Sequence, residues 1–269
     1  MLNYIITKSI YLWQSLYEPI ILKFQRYRDK PITKKLDDHK VSIIIATYNR
    51  SKILVNRTIP SILGQTHKNI EVVIVGDKCI DDTIEQVKKI KDKRIVLCDL
   101  KKRGKYPADI LDRWFVQGSV PRNKGMKVAT GDWFVFISDD DVLYEWHVET
   151  MLKHAINNDL EFVSAAYKTI KDGKEILILP SKNNKGSDLV CGGMQTWLYR
   201  SYLRFFKWNR HSWRKKIDRP VDYDLQQRFY KCGVRMGSFE DVVYYNPPVE
   251  GTNTTGYRAA ILAEKRHGQ

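Results

Sequence analysis

The sequence is poor in cysteine, and its cysteines are not paired. Among 269 residues only four are cysteine, and none lies in a Cys-x-x-Cys motif. This spacing argues against a disulfide framework and against a zinc site, and it predicts a reducing, cytosolic setting. The four residues are Cys79, Cys98, Cys191 and Cys232.

Long apolar runs are also missing. No segment reaches the roughly 18 apolar residues that a membrane-spanning helix needs, so we expect no such helix. We do not expect residues 1–30 to act as a signal peptide either. Lys8 and Glu18 interrupt their apolar residues, and no small-residue cleavage site follows.

Residues 1–30 nevertheless place apolar side chains at helical spacing, and a basic cluster follows. This pattern is typical of a helix that lies peripherally in a membrane interface. It is equally typical of a helix packed on its own domain or on a partner subunit, with a bend at Pro19. The apolar positions are Ile5, Ile6, Ile10, Trp13, Leu16, Tyr17, Ile20, Ile21 and Phe24.

Acidic residues are fewer than basic ones. The chain has 46 Lys and Arg against 31 Asp and Glu, a formal net charge of +15. This surplus favours polyanionic partners such as phosphates, anionic lipid headgroups or nucleic acid. The charge alone does not choose among them.

The first half of the chain alternates strand-like and helix-like segments, which is typical of an α/β fold with a parallel sheet. Strands are predicted at 41–46, 71–75, 94–98 and 133–137, with helices at 51–64, after Asp81 or Asp82, and at 121–129. Residues 99–120 lack clear periodicity and are predicted to form a long loop that serves a site.

The second half predicts a more mixed sheet. A helix is predicted at 144–157, and two strand-like segments flank Asp172 and Gly173, a pair typical of a hairpin turn. A further helix is predicted at 223–231, closed by Gly233.

Three carboxylates follow the fourth predicted strand, namely Asp139, Asp140 and Asp141 after Ser138. Like charges held close together raise one another's pKa, and a divalent cation would compensate them. Mn²⁺ and Mg²⁺ prefer oxygen ligands and often combine one or two carboxylates with substrate phosphates. The alternative is a solvated acidic turn that caps the next helix.

Polar residues also follow the first two strands. The first ends in Thr47, Tyr48, Asn49 and Arg50, and the second runs into Asp77. Adjacent strand ends of an open α/β sheet would form a polar cleft of nucleotide size. Ordinary turn and cap chemistry is the alternative.

At this point the sequence resembles a known family. VSIIIATYNR, EVVIVGDKCIDDT and PRNKGMKVATGDWFVFISDDD occur in the order seen in family 2 glycosyltransferases of the GT-A fold. VDYDLQQRFYKCG is similar to the acidic catalytic segment of that family. The resemblance covers roughly residues 41–245. It implies a Rossmann-like, mostly parallel twisted sheet with flanking helices and a smaller mixed region on the acceptor side.

The resemblance also divides the chain. Residues 1–40 would be a helical extension and linker, and 41–245 the GT-A domain. Within it, 41–141 would bind the nucleotide sugar and 142–245 the acceptor. Residues 246–269 would form a C-terminal loop and tail.

The resemblance implies a set of donor-binding residues. Glycine in that set would allow close backbone contact with the sugar. The set is Thr47, Tyr48 and Arg50 at the nucleotide, Asp77 at the base, Arg122 and Asn123 at the diphosphate or sugar, with Asp139 and Gly193 also at the donor.

The metal motif of the family is usually Asp-x-Asp. Here Ser138 stands at the first position and Asp140 at the second, so Asp140 is the expected ligand of Mn²⁺ or Mg²⁺. Asp141 is the second candidate ligand.

The resemblance implies that Asp222 is the general base, although Val221 replaces the usual Glu. An acceptor hydroxyl must lose its proton as it attacks the anomeric carbon, and a nearby carboxylate can accept that proton. Asp224 is more simply explained as a carboxylate near a helix N-terminus.

Residues 199–219 interleave aromatic and basic side chains, and the resemblance places them near the acceptor. Aromatic faces stack on sugars and basic groups suit phosphate, so this stretch could hold a lipid diphosphate or a phosphorylated glycan. Alternatively, its aromatics are core and its charges are solvated.

The expected activity is therefore metal-dependent, inverting transfer of a sugar from a nucleotide sugar to a hydroxyl of a glycan, glycolipid or protein-linked acceptor. A UDP-sugar is the expected donor, with GDP- and dTDP-sugars as alternatives. A nucleotidyltransferase would carry a glycine-rich loop after the first strand, and residues 47–53 have no glycine. A non-catalytic polyanion- or glycan-binding module is the other rival, and no nucleic acid partner is expected.

Overall fold

The computed structural model describes residues 2–29, 33, 35–183, 187–191, 193–212, 221–248, 252–255 and 259. The strands are β1 (Val41–Thr47), β2 (Ile70–Gly76), β3 (Ile95–Asp99), β4 (Trp133–Ser138), β5 (Val142–Leu143), β6 (Phe162–Lys171), β7 (Lys174–Ile178), β8 (Ser181–Asn183), β9 (Ser187–Cys191), β10 (Trp197–Arg200) and β11 (Met236–Asn246). The helices are α1 (Leu2–Arg28), α2 (Ser51–Ile53), α3 (Ile59–Leu63), α4 (Thr83–Lys89), α5 (Ile110–Val116), α6 (Ser119–Val128), α7 (His147–Asn157) and α8 (Val221–Lys231).

Within the described residues, nine strands form one sheet in the order β3-β2-β1-β4-β10-β6-β11-β5, with β7 beside β6. Strands β1 to β4 are mutually parallel, β10 is antiparallel to both its neighbours, and β11 is parallel to β6. The predicted α/β class, with a parallel first half and a mixed second half, is confirmed.

The central strands are apolar along their whole length because helices cover both faces of the sheet. β2 is buried at every position, and β1 at all but one. Successive side chains point to opposite faces, so Ile43 and Ile45 belong to one core and Ile44 to the other.

The predicted turns are confirmed in detail. Asp172 and Gly173 both have positive φ, 51° and 78°, as the tight turn between β6 and β7 requires. Gly233 has φ of 75° just beyond the end of α8.

The predicted helix at 51–64 is present as α2 and α3 joined by a π-helical turn, Leu54–Thr58.

The prediction of a loop at 99–120 was wrong in part. The loop contains α5, whose N-terminus is capped by the Asp109 carboxylate accepting from the Asp112 amide at 2.9 Å. Phe115 and Val116 are buried and fasten α5 to the domain. Helix α6 also starts earlier than predicted, because Pro121 is tolerated in a first helical turn.

Helix α1 packs one face on the domain, as one of its two predicted readings requires. Leu22 and Glu18 are buried in this contact, and Glu18 forms an ion pair with the Arg228 guanidinium of α8. Farther along, Arg26 pairs with Glu161 at 2.5 Å. Among the described helices, none is long and apolar enough to cross a membrane.

The buried ion pair predicts how firmly α1 is held. We expect Glu18→Ala to lower the free energy of unfolding by about 3 kcal/mol, because it leaves Arg228 buried with only Asp224 as a carboxylate partner. Urea denaturation measures this loss. Glu149→Ala, which breaks an exposed pair with Lys153, should cost about 0.5 kcal/mol. Equal losses for the two variants would contradict the prediction.

Candidate functional site

A cavity of about 290 Å³ lies at the carboxyl ends of β1, β2 and β4. The backbone register puts these ends side by side, since Thr47 is opposite Gly76 and Ala46 is opposite Ser138. The cavity is lined by Ala46, Thr47, Tyr48, Arg50, Asp77, Arg103, Tyr106, Arg113, Gln117, Gly118, Pro121, Arg122, Ser138, Asp139 and Asp140. The structure thus brings together most of the donor residues that the sequence predicted.

The lining also includes residues that sequence reasoning missed. Arg103, Tyr106, Arg113, Gln117 and Gly118 all come from the segment predicted as a site-serving loop. The lack of periodicity marked the segment, but no motif distinguished these side chains. Counted with Arg50 and Arg122, the cavity lining has four guanidinium groups.

The three consecutive aspartates point in different directions. Asp139 is half-buried beside the Thr47 side chain and the Tyr48 amide. Asp141 is buried and accepts a hydrogen bond from Gln195 Nε2 at 3.1 Å. Asp139 and Asp140 are both among the residues that line the cavity.

Two of these carboxyls are hard to ionise. Burial raises the pKa of Asp139 to about 6 and that of Asp141 to about 7, and the charge of Asp140 adds to both shifts. A positive group at this corner would therefore favour the ionised carboxylates.

The backbone of this corner is held by the π-helical turn. The Thr58 hydroxyl lies 3.0 Å from the carbonyl oxygens of both Asp139 and Asp141. The Arg57 guanidinium donates to the carbonyl of Asp140. Neither residue carries a sequence signal for this role, because the contact spans more than 80 residues.

The protein side chains at this corner could hold a hard cation only together with oxygen atoms of a bound ligand. The described residues contain no cluster of three His, Cys, Asp or Glu side chains that could hold a metal by itself. Asp140 and Asp139 line the cavity, and a cation held by a carboxylate here could complete its shell with diphosphate oxygens and water. Asp141 is turned toward Gln195, a placement that does not favour it as a ligand.

The Asp77 end of the cavity is covered by residues 103–106 of the same chain. Asp77 accepts hydrogen bonds from the Gly104 amide at 2.8 Å and the Tyr106 hydroxyl at 2.7 Å. The Arg103 guanidinium lies 3.5 Å from the centre of the Tyr48 ring. A nucleotide base that bonds to Asp77 must share this carboxylate with residues 104–106 or displace them.

Arg122 lies among the acids of the site. Burial lowers its pKa, and the carboxylates of Asp222, Asp139 and Asp141 oppose that effect. One guanidinium nitrogen donates to the Gln117 carbonyl at 2.9 Å. The guanidinium thus provides positive charge that acts both on the aspartate corner and on Asp222 in the first turn of α8.

Asn123 has a different environment from the one predicted. Its Nδ2 donates to the Trp208 carbonyl at 2.9 Å, and its Oδ1 accepts from the Trp208 amide at 3.0 Å. Both ends of the amide are therefore used to hold another segment. A contact between Asn123 and the donor stays a prediction.

Asp222 lies in the first turn of α8 and accepts from the Tyr223 amide at 2.8 Å. Burial raises its pKa, although that hydrogen bond and the nearby Arg122 charge lower it. A raised pKa makes this carboxylate a better proton acceptor. Asp224 is buried and pairs with Arg228 at 3.3 Å, in keeping with its predicted structural role.

Gly193 has an ordinary φ of −62°, and its carbonyl accepts from the Thr196 amide at 2.9 Å. A Cβ added here would lie 3.0 Å from the Gln195 amide oxygen, so the glycine leaves room for the side chain that reaches Asp141. Contact of Gly193 with a sugar stays a prediction.

The basic-aromatic stretch is mainly core where the structure describes it. Tyr199, Phe206 and Trp208 are fully buried, so these rings are not free to stack on a sugar. This outcome matches the alternative reading of the stretch. Residues 213–219 lie outside the described part of the chain.

Comparison with known proteins shows that the chain is similar to glycosyltransferases. The model described as "Glycosyl transferase family 2" matches residues 42–109 and 117–242. The poly(ribitol-phosphate) beta-N-acetylglucosaminyltransferase TarP of Staphylococcus aureus is 30% identical over 174 residues, 62% of this chain and 49% of TarP. The Escherichia coli UDP-Glc:alpha-D-GlcNAc-diphosphoundecaprenol beta-1,3-glucosyltransferase WfaP is 32% identical over 132 residues, 49% of this chain and 47% of WfaP.

These matches are partial. An uncharacterized glycosyltransferase of Rickettsia felis is 37% identical over 144 residues, which are 52% of this chain and 21% of that protein. The chain thus spans between a fifth and a half of the length of these curated relatives.

A solved structure shares the fold. The crystal structure of S. aureus TarS 1-349 in complex with UDP-GlcNAc superposes with a TM-score of 0.61 at 20% identity, over 80% of this chain and 60% of that one. This likeness confirms the predicted GT-A fold. Because the family model covers most of the chain, including the strands and loops that build the cavity, the chain belongs to glycosyl transferase family 2.

Proposed function

We propose that this chain transfers a sugar from a UDP-sugar to a hydroxyl of a phosphate-bearing acceptor by direct displacement, with inversion at the anomeric carbon. The observation that carries the proposal is that Arg122 lines the same cavity as Asp139, and that its positive charge interacts with the carboxylates of Asp222, Asp139 and Asp141. Asp140 lines the same cavity.

The donor follows from the cavity and from related proteins. The cavity has a volume of about 290 Å³ and is lined by four arginines, which suits a nucleoside diphosphate. WfaP is named for a UDP-Glc donor, and TarS was crystallised with UDP-GlcNAc. These names support a UDP-sugar over the GDP- and dTDP-sugars that the sequence left open.

The leaving group needs positive charge as the glycosidic bond breaks. Arg122 and Arg50 line the cavity and would neutralise charge that develops on the departing diphosphate. Mn²⁺ or Mg²⁺ bound through Asp140 would supply further electrostatic stabilisation of the same phosphate oxygens.

Asp222 would remove the proton from the acceptor hydroxyl. Burial raises its pKa and so keeps it basic, and its charge interacts with that of Arg122, which lines the cavity. A single displacement with a carboxylate acting as general base inverts the anomeric centre.

The acceptor class is inferred from charge and from the relatives' names. TarP is named for a poly(ribitol-phosphate) acceptor and WfaP for a diphosphoundecaprenol acceptor, and both carry phosphate. The net charge of +15 favours an acceptor of this kind.

A transfer assay tests the proposal. The purified chain is incubated with UDP-, GDP- and dTDP-sugars and with polyprenyl-diphosphate-linked or ribitol-phosphate acceptors, with and without Mn²⁺. We expect a new glycosidic product of inverted configuration by mass spectrometry and NMR, with UDP-sugars only. Release of pyrophosphate would indicate a nucleotidyltransferase. Salt-sensitive polyanion binding that ignores sugar nucleotides would indicate a binding module.

Gly118 offers a test of the placement of Arg122. Its φ is 76°, and an added Cβ would lie 2.9 Å from the Arg122 guanidinium carbon, the mobile end of a long side chain. We expect Gly118→Ala to push that guanidinium aside and to weaken UDP binding about tenfold, measured by calorimetry.

Gly173→Ala is the matched control. Gly173 has φ of 78°, but nothing lies within 4 Å of an added Cβ. Both variants should lose about 1 kcal/mol of stability from backbone strain, and only Gly118→Ala should lose UDP affinity. Equal UDP affinities in the two variants would contradict the assigned position of Arg122.

A further inference from the structure

The outward face of α1 is a continuous apolar stripe, composed of Leu12, Trp13, Leu16, Ile20, Phe24 and Tyr27. Each of these side chains is more than half exposed, from 55% for Phe24 to 89% for Tyr27. At 3.6 residues per turn the six fall within about a third of the helix circumference. Such a patch is uncommon on a surface that faces only water.

The helix cannot roll to bury this stripe. Glu18 and Leu22 lie on the opposite side of the helix and are buried against the domain. Asp29, just after α1, pairs with Arg200 at 2.5 Å, and Arg26 pairs with Glu161 at the same distance. These contacts fix which face of α1 points outward.

The charges around the stripe have one sign. The only acidic residue in α1 is Glu18, which is buried in its pair with Arg228. Lys23 and Arg28 are exposed on the same helix, and the Arg28 guanidinium lies 5.4 Å from the centre of the Phe24 ring. The outward face of α1 thus combines apolar and basic groups and presents no acid.

We propose that this stripe docks the protein on the surface of an anionic lipid bilayer. Trp13, Phe24 and Tyr27 are aromatic side chains that suit the headgroup boundary, and Lys23 and Arg28 would contact anionic headgroups. The helix would lie in the interface and would not span it, since no described helix is apolar enough to cross a membrane.

The position of α1 links this surface to the site, and this step rests on the proposed function. α1 packs on α8, the helix whose first turn contains Asp222, through the Glu18 to Arg228 pair. Asn209 Nδ2 also donates to the Tyr11 hydroxyl at 2.8 Å, next to the Trp208 segment held by Asn123. A lipid-borne diphosphate acceptor would then reach the base from the same bilayer.

Vesicle sedimentation of the whole chain tests the docking surface. We expect binding to vesicles of phosphatidylcholine with phosphatidylglycerol, and weaker binding to phosphatidylcholine alone. Replacing Leu16, Ile20 and Phe24 together by Gln, which keeps helix propensity, should lower partitioning by at least about tenfold. Lys23→Gln with Arg28→Gln should lower it about tenfold on the anionic vesicles only.

Leu177→Gln is the matched control, because Leu177 is 51% exposed on β7, away from α1. It should sediment with vesicles as the wild type does. Thermal denaturation should show that every variant is folded. Unchanged vesicle binding by the triple variant overturns the proposal, and so does a dimer, seen by light scattering without lipid, that the triple variant dissociates.

Donor hydrolysis in the absence of vesicles separates this proposal from the proposed function. The triple variant should hydrolyse a UDP-sugar at the wild-type rate, because α1 does not line the cavity. A wild type that transfers sugar yet ignores vesicles would refute docking and leave the transfer reaction standing. A wild type that binds vesicles but transfers nothing would refute the reaction alone.

Discussion

Asp222→Asn should bind the UDP-sugar as tightly as the wild type and transfer the sugar about 1,000-fold more slowly. The amide keeps the shape of the side chain and its contact with the Tyr223 amide, but it cannot accept the proton of the acceptor hydroxyl. Single-turnover transfer and calorimetry with UDP measure the two quantities separately.

The pH dependence gives a second readout of the same residue. A general base must be ionised, and burial raises the pKa of Asp222 above the ordinary range of an aspartate. The wild-type transfer rate should therefore fall as the pH is lowered through that raised pKa. Asp222→Asn should lack this acid limb.

Asp224→Asn is the control within the same helical turn. Asp224 is buried and pairs with Arg228 at 3.3 Å, so its replacement should lower stability and keep the acid limb of the transfer rate. If Asp222→Asn transfers sugar at the wild-type rate, or if only Asp224→Asn loses the acid limb, the base has been assigned to the wrong residue.

Asp140→Ala should abolish the metal dependence of donor binding and weaken UDP affinity in the presence of Mn²⁺ by about 100-fold. Asp140 lines the cavity together with Asp139, whereas the Asp141 side chain is held by Gln195. The family motif places the metal ligand at Asp140. Thermal stabilisation by UDP, measured with Mn²⁺ and then with a chelator, reports this dependence.

Asp141→Asn separates the two candidate ligands. Burial already raises the pKa of Asp141 to about 7, so replacing the carboxylate by a neutral amide should cost little stability. The amide oxygen can still accept from Gln195. We expect this variant to keep Mn²⁺-dependent stabilisation by UDP. The reverse result, with Asp140→Ala responding to Mn²⁺ and Asp141→Asn not, would make Asp141 the ligand.

The strand-end part of the site could be predicted from sequence because it depends on local patterns. Apolar runs such as Val41–Thr47 mark buried parallel strands, and the polar residues that follow must meet at one edge of the sheet. Thr47, Asp77 and Asp139 were found in this way.

Other parts of the site depend on contacts between distant residues. Gly104 and Tyr106 reach Asp77 across more than 25 positions, and Asn123 holds Trp208 across 85. Sequence patterns within a short window cannot reveal contacts between residues so far apart. Helix α5 was missed for a different reason, because the segment around it lacks clear periodicity although its Asp109 cap is local.

The sequence by itself determined the parallel strands, the polar residues that follow them and the family. These depend on hydrophobic periodicity and motif spacing, which are local properties of the chain. Only the tertiary structure decided which two of the three adjacent aspartates line the cavity and which face of α1 points outward. Those choices depend on partners such as Gln195, Thr58 and Arg228, which come from remote elements and are set by packing.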